Sequence, residues 1–429
     1  MASDPKTVCL LNDSFPPQYD GVAMATANYA KELMAMGHKP VVVVPANPGA
    51  ADENYRFPIQ RYPSVSFRKM EGYMAGIPFS PETVSRIAAE KVQLLHCHCP
   101  IVSGWMARQI RQVADAPIVM TYHTKFDIDI ANLTKNKALQ ETCRRALVEN
   151  IAASDAVWAV SRGAGENLRA LGYEGEYTVM PNGVDMPKGR LCADAVQRAT
   201  AGYDLPADVP VYLFAGRLMW YKGIRIVFDA LAGLEEEGKD FRFVILGGGN
   251  DRLEMEEYAA KCGIRSKCIF VGPVLDRELM RAWYCRADLF LFPSTFDTNG
   301  LVVREAAAAS LPAVLVKGSC AAEGVTDGRN GFLISETPVS LFARLMKLYG
   351  QKQTVRRVGE TAAEELYLSW KDAVAMAEKR YGDVIETYKS GKHPPHNRIR
   401  ESMFRANAEL MEKLSELRVN RLLSERHIL

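Results

Sequence analysis

The sequence predicts an α/β protein made of two doubly wound domains that face one another across a cleft, followed by a C-terminal helical extension. Three observations carry this expectation. Short apolar runs of strand length alternate with helix-length patterns along most of the chain. The alternation breaks once, in a polar stretch at residues 186–208 rich in Pro, Gly and Asp, and then restarts, as it would at a connection between domains. The residues able to do chemistry fall just after the apolar runs, at the carboxyl ends of strands, where open α/β sheets bind their ligands.

Composition narrows the function classes. The chain has 429 residues, 48% of them apolar, which suffices for more than one core. Lys and Arg (53) nearly balance Asp and Glu (51), so no global charge argues for nucleic acid. The apolar runs, such as residues 41–44 and 289–292, are far short of a membrane span, and the first residues show no leader pattern, so a cytoplasmic protein is expected. The nine cysteines follow no regular framework, as in a reducing compartment, and no disulfide is expected. His96-Cys97-His98-Cys99 has the look of a metal motif, but strand alternation sends the histidines to one face and the cysteines to the other.

In chain order, residues 8–11 read as a buried strand, a Pro-rich turn follows, and a helix runs over 22–36 until Gly37 stops it. Gly21 lies where that strand hands over to its helix, a position that lets backbone approach a ligand. Residues 41–44 form the next strand. Residues 54–77, with Arg68, Lys69 and several aromatics, read as a long irregular connection of the kind that serves function, here contact with an acceptor. Strands at 92–97 and 118–121 follow, the second ending at Tyr122-His123-Thr124, which makes His123 a candidate. Strands at 156–160 and 177–180 close the first half, the latter running into Pro181-Asn182-Gly183.

The second series starts at residues 211–215 and exits through Gly216-Arg217, with Lys222-Gly223 just before a helix. This puts two cations at one strand end, an Arg fork and a Lys point charge suited to phosphate oxygens. Gly247-Gly248-Gly249 follows the strand at 243–246, but the third glycine of a dinucleotide fingerprint would fall at Arg252, so a nicotinamide site is not indicated. Gly272 ends the next strand. The strand at 289–292 then runs through Asp297, Asn299, Gly300 and Leu301 into a helix carrying Glu305, and unpaired amides at such a helix start favour an anion.

These residues together resemble the retaining, nucleotide-sugar-dependent glycosyltransferases of the GT-B fold, the large family 4 in particular, over roughly residues 8–388. Asp297 and Glu305, with seven residues between them, are similar to the family's acidic pair, although the first acid is usually Glu and is here one methylene shorter. Gly216-Arg217 with Lys222-Gly223 resembles the donor-diphosphate clamp, Tyr122-His123-Thr124 the segment whose His contacts the donor sugar, and Asp20-Gly21 the glycine loop of the first domain. The resemblance implies catalytic roles for His123, Arg217, Lys222 and Asp297, and donor contacts by Gly21, Asn182, Gly216, Gly272, Asn299, Gly300, Leu301 and Glu305. It implies domains at 1–188 and 189–370, a return helix at 371–390 packing on the first, and an extension at 391–429.

The implied reaction moves a hexose from a nucleotide sugar to an acceptor hydroxyl, with no cofactor and no metal, since Arg and Lys offset the diphosphate charge. The acceptor reads as a lipid of the diacylglycerol type or a glycan, with a small molecule as the alternative, which allows peripheral contact at the inner face of a membrane. A non-catalytic nucleotide-sugar-binding protein is the rival, against which stand the side chains of Arg217, Lys222, Asp297, Glu305 and His123, all present. The extension shows a Pro-rich hinge at His393-Pro394-Pro395 and an apolar stripe through Met403, Leu410, Leu414 and Leu417, suited to clasping the body or a second subunit as a homodimer.

Overall fold

The computed structural model describes residues 4–18, 20–66, 74–392, 401, 402, 405 and 406. Its chain divides into two compact units, Met1–Pro181 with Trp370–Leu429, and Asn182–Ser369. Arg68, Lys69, the hinge prolines and the apolar stripe of the extension lie outside the described residues.

In the first unit the strands are β1 (Thr7–Leu11), β2 (Lys39–Pro45), β3 (Ile59–Tyr62), the short antiparallel ribbon β4 (Ser64–Ser66) and β5 (Met74–Gly76), then β6 (Leu94–Cys97), β7 (Ile118–Tyr122), β8 (Ala156–Ala159) and β9 (Thr178–Val179). The main sheet is parallel throughout, in the order β3-β2-β1-β6-β7-β8-β9. Its central strands are apolar without alternation, as strands covered on both faces must be: Val41 to Val44 are all fully buried. The helix Gly21–Ala35 covers one face together with Trp370–Lys389, whose Tyr381 ring stacks on Trp158 at 5.6 Å.

The second unit has β10 (Val211–Ala215), β11 (Arg242–Leu246), β12 (Cys268–Gly272), β13 (Leu289–Phe292), β14 (Ala313–Val316) and β15 (Phe332–Ile334), again parallel, in the order β12-β11-β10-β13-β14-β15. Both sheets therefore reverse their winding once, between β1 and β6 in the first unit and between β10 and β13 in the second. At such a reversal the two loops diverge to opposite faces, leaving space for a ligand beyond the strand ends.

Two expectations change. Residues 54–77 are not wholly irregular, since β3 pairs with β2 as an edge strand and β4–β5 forms a ribbon; the segment Ile-Gln-Arg-Tyr has no apolar run because only Tyr62 is buried. The polar stretch 186–208 contains the helix Ala193–Ala199, which packs on Arg277–Arg286. Val184 donates its amide to the Leu368 carbonyl at 2.9 Å, tying the start of the stretch to the end of the second unit.

Candidate functional site

At the reversal point of the second unit, β10 delivers Gly216 and an exposed Arg217, which has no ion-pair partner among the described residues. The glycines after β11 serve packing. A Cβ on Gly247 would collide with the Gly216 carbonyl and one on Gly249 with that of Leu218, so these glycines let two loops lie flush. Gly272 closes the same arrangement from β12, accepting the Gly247 amide at 2.8 Å. Gly223 adopts a left-handed conformation, φ 76°, and brings the Lys222 loop against the carbonyl of Pro293 at the exit of β13.

This closeness pairs two residues that are far apart in sequence. Lys222 Nζ donates to Asp297 Oδ1 at 2.7 Å, and Ser294 Oγ donates to Asp297 Oδ2 at 2.5 Å. The ammonium is buried, flanked by the rings of Tyr221 and Phe296 at 5.7 and 5.4 Å from their centroids. Both oxygens of Asp297 are thus engaged, and the positive charge is held at the loop from which Arg217 projects.

The helix Leu301–Ala308 begins at Gly300, again left-handed with φ 58°, where a Cβ would stand 2.9 Å from the Ala321 Cα. Asn299, Gly300 and Leu301 therefore form the turn that opens the helix, whose first amides lack intrahelical acceptors. One turn on, the Glu305 carboxylate is enclosed by the helix Arg277–Arg286: Tyr284 donates its hydroxyl to Oε2 at 3.1 Å, and Arg277 Nη1 lies 3.4 Å from Oε1. Burial pushes the Glu305 carboxyl above its usual range, while Arg277 and the Tyr284 hydrogen bond oppose that rise. Asn182, the first residue of this unit, is buried.

The first unit arranges its reversal point differently. Asp13, just past β1, caps the helix Val102–Ala114 by accepting the amides of Val102 and Ser103 at 3.0 and 2.6 Å. Gly21 opens the helix Gly21–Ala35, which Asp20 caps, and a Cβ there meets nothing within 4 Å. Among the described residues no contact requires glycine at that position. His123 follows β7 and is buried, its Nε2 3.0 Å from His98 Nδ1; the His98 ring lies 4.1 Å from that of His96, and His96 bonds Tyr381 Oη at 2.6 Å and Thr121 Oγ1 at 2.7 Å. Burial drives all three imidazoles toward the neutral form, His123 down to about 3.

The histidines of His96-Cys97-His98-Cys99 do share a face, while the Cys97 thiol donates to the Ser103 carbonyl. Among the described residues no group of three His, Cys, Asp or Glu side chains is placed to hold a metal ion. Nor is any described helix long and apolar enough to cross a membrane.

Lys222 and Asp297 thus meet, and Gly216, Gly300 and Glu305 sit on the loops and helix around them. Sequence reasoning missed Ser294, Arg277, Tyr284 and Tyr381, and weighed His98 only as part of a metal motif. Ser294 stands three residues from Asp297, a spacing that hints at a turn hydrogen bond; the others are matched by topology alone.

Residues 19–187 match the family described as Glycosyltransferase Family 4, and residues 197–365 match Glycosyl transferases group 1. Among curated relatives, the D-inositol 3-phosphate glycosyltransferase of Xylanimonas cellulosilytica is 34% identical over 54% of this chain and 57% of its own length. The alpha-monoglucosyldiacylglycerol synthase of Acholeplasma laidlawii is 22% identical over 76% of this chain and 84% of its own. Among solved structures, Anabaena HepE in complex with UDP and glucose superposes with a TM-score of 0.70 at 17% identity, covering 88% of this chain and 100% of that one, a likeness of the GT-B fold.

Proposed function

This chain belongs to the glycosyltransferases that join a family 4 domain to a group 1 domain, and on that premise we propose that it moves a hexose from a nucleoside-diphosphate sugar to an acceptor hydroxyl with retention at the anomeric carbon. The observation that carries this reading is the charge arrangement at the second unit's reversal point: exposed Arg217, the Lys222–Asp297 pair and the start of the helix Leu301–Ala308. Breaking a sugar–phosphate bond builds negative charge on the departing diphosphate. Cations and amides already in place stabilise that charge without reorganising at the moment of reaction.

In this reading Arg217, Lys222 and the amides around Asn299, Gly300 and Leu301 hold the diphosphate, with Gly216 and Gly272 shaping the loops. Glu305 accepts the ribose hydroxyls. Asp297 orients the sugar, and the diphosphate takes over Lys222 from it as the donor binds. His123 and Asn182 contact the donor from the strand ends that carry them, and Gly21 leaves room for the phosphates. The leaving phosphate helps to take the acceptor's proton on the same face. Arg217 and Lys222 provide the positive charge that a divalent ion would otherwise bring, so the reading includes turnover without metal or cofactor.

A lipid acceptor of the diacylglycerol type is favoured over a glycan. The similarity to a monoglucosyldiacylglycerol synthase supports it, and so do Phe79 and Trp105, each more than a third exposed and edge-to-face at 5.9 Å in the first unit. Such a surface suits work at the inner face of a membrane, in the cytoplasm, and the reading includes pairing of two copies through residues 391–429.

The test is product formation from UDP-, GDP- and ADP-hexoses with diacylglycerol or monoglucosyldiacylglycerol vesicles, in excess EDTA, with the anomeric configuration read by NMR. The expected result is one preferred donor and a glycolipid of unchanged anomeric configuration. An inverted product would contradict retention, dependence on added magnesium or manganese would contradict the clamp's sufficiency, and transfer to glycans alone would contradict the lipid acceptor.

A further inference from the structure

We propose that Tyr284 is a positioning residue for the nucleotide: its hydroxyl holds Oε2 of Glu305 so that Oε1 is the oxygen offered to the ribose diol, with Arg277 as an exchangeable cover over that oxygen. The inference rests on the reading of Glu305 as the ribose acceptor.

Tyr284 and Arg277 lie seven residues apart on the helix Arg277–Arg286, two turns on one face, so one helix grips both oxygens of a carboxylate on another. The two grips differ. Tyr284 is fully buried against Phe290, ring centroids 5.7 Å apart, and donates at 3.1 Å. Burial raises its ionisation well above the ordinary range, so the hydroxyl stays protonated and always donates. Arg277 is 53% exposed, stands 3.4 Å from Oε1, and is shared with Asp185 at 3.6 Å. A long, solvent-facing contact divided between two carboxylates can be given up to a ligand. A buried hydrogen bond cannot be given up without leaving a polar group unsatisfied.

The groups facing Glu305 are therefore Tyr284 and Arg277 from that helix and Asp185 from the stretch that opens the unit. Arg304, its sequence neighbour, turns away to the Leu366 carbonyl at 3.0 Å. Of the facing groups, Tyr284 and Arg277 favour the charged carboxylate, while Asp185 and burial oppose it. Removing the tyrosine hydroxyl raises the carboxyl further, so the ribose acceptor is lost at a higher pH than in the wild type.

The experiment is calorimetric titration of Tyr284→Phe, Glu305→Gln and wild type, from pH 8 to pH 5.5, with whichever of UDP, GDP or ADP binds the wild type most tightly. Comparing each variant with wild type at the same pH cancels titration of the nucleotide itself. We expect Tyr284→Phe to bind a few-fold more weakly at pH 8 and its deficit to grow as the pH falls, with Glu305→Gln weak at both ends of the range. A deficit that is constant with pH, or none at all, overturns the role of Tyr284. Wild-type affinity in Glu305→Gln would instead remove the ribose assignment beneath it, so the two failures are distinguishable.

Discussion

The two units share a winding order yet furnish their reversal points in opposite ways. In the second unit charge is kept and paired: Lys222 with Asp297, Glu305 with Arg277, and Arg217 open to solvent. In the first unit charge is suppressed: His96, His98 and His123 form a buried file of neutral rings closed by Thr121 and Tyr381. Paired charges can be traded to a diphosphate at modest cost because the ligand replaces one partner by another, whereas neutral imidazoles can bond sugar hydroxyls without attracting the phosphate.

The sharpest break of this contrast comes from the cations. Arg217→Ala and Lys222→Ala should each lower turnover roughly 100- to 1,000-fold, the scale of losing one preorganised charge-stabilising donor. Stability should separate them. Arg217 is exposed and unpaired among the described residues, so its loss should leave the melting temperature unchanged. Lys222→Ala strands the Asp297 carboxylate, whose side chain is only 22% exposed, and should cost about 1–3 kcal/mol, a shift of a few degrees in thermal melting.

A smaller effect tests the first unit. Because His123 is held neutral, with its protonation moved down to about 3, the unfolded chain takes up a proton below pH 6.5 that the folded chain refuses. Stability from this group is complete above pH 6.5 and is lost as pH falls toward 3. By pH 5 the loss should be about 2 kcal/mol for His123 alone, and His96 and His98 act in the same direction. Urea unfolding at pH 7 and pH 5, followed by tryptophan fluorescence, should show it. His123→Asn should flatten the slope, and an unchanged slope would mean that the imidazole is not held neutral.

What could be read beforehand follows the range of the interactions. Strands such as Val41 to Val44 announce themselves because burial on both faces demands an unbroken apolar run, and the loops after them are where winding reversals put ligands. The edge strand Ile59–Tyr62 was illegible because an edge needs only one buried side chain. Lys222 and Asp297 were both recognisable as polar groups at strand exits, but their contact spans 75 residues and depends on β10 lying beside β13. Tyr284 and Arg277 share the helix Arg277–Arg286. Which of its faces would meet Glu305 is decided by packing between helices, for which no local spacing exists.

On the proposed reading, the charged reversal point of the second unit holds the nucleoside diphosphate, and the neutral one of the first does not. This division is tested most directly by a single calorimetric series in which the preferred nucleoside diphosphate, without sugar, is titrated into wild type, Arg217→Ala and His123→Asn. We expect a tenfold or greater loss of affinity in Arg217→Ala and unchanged affinity in His123→Asn, whose defect should appear only in turnover of the complete donor. Unchanged affinity in Arg217→Ala together with a large loss in His123→Asn would contradict it.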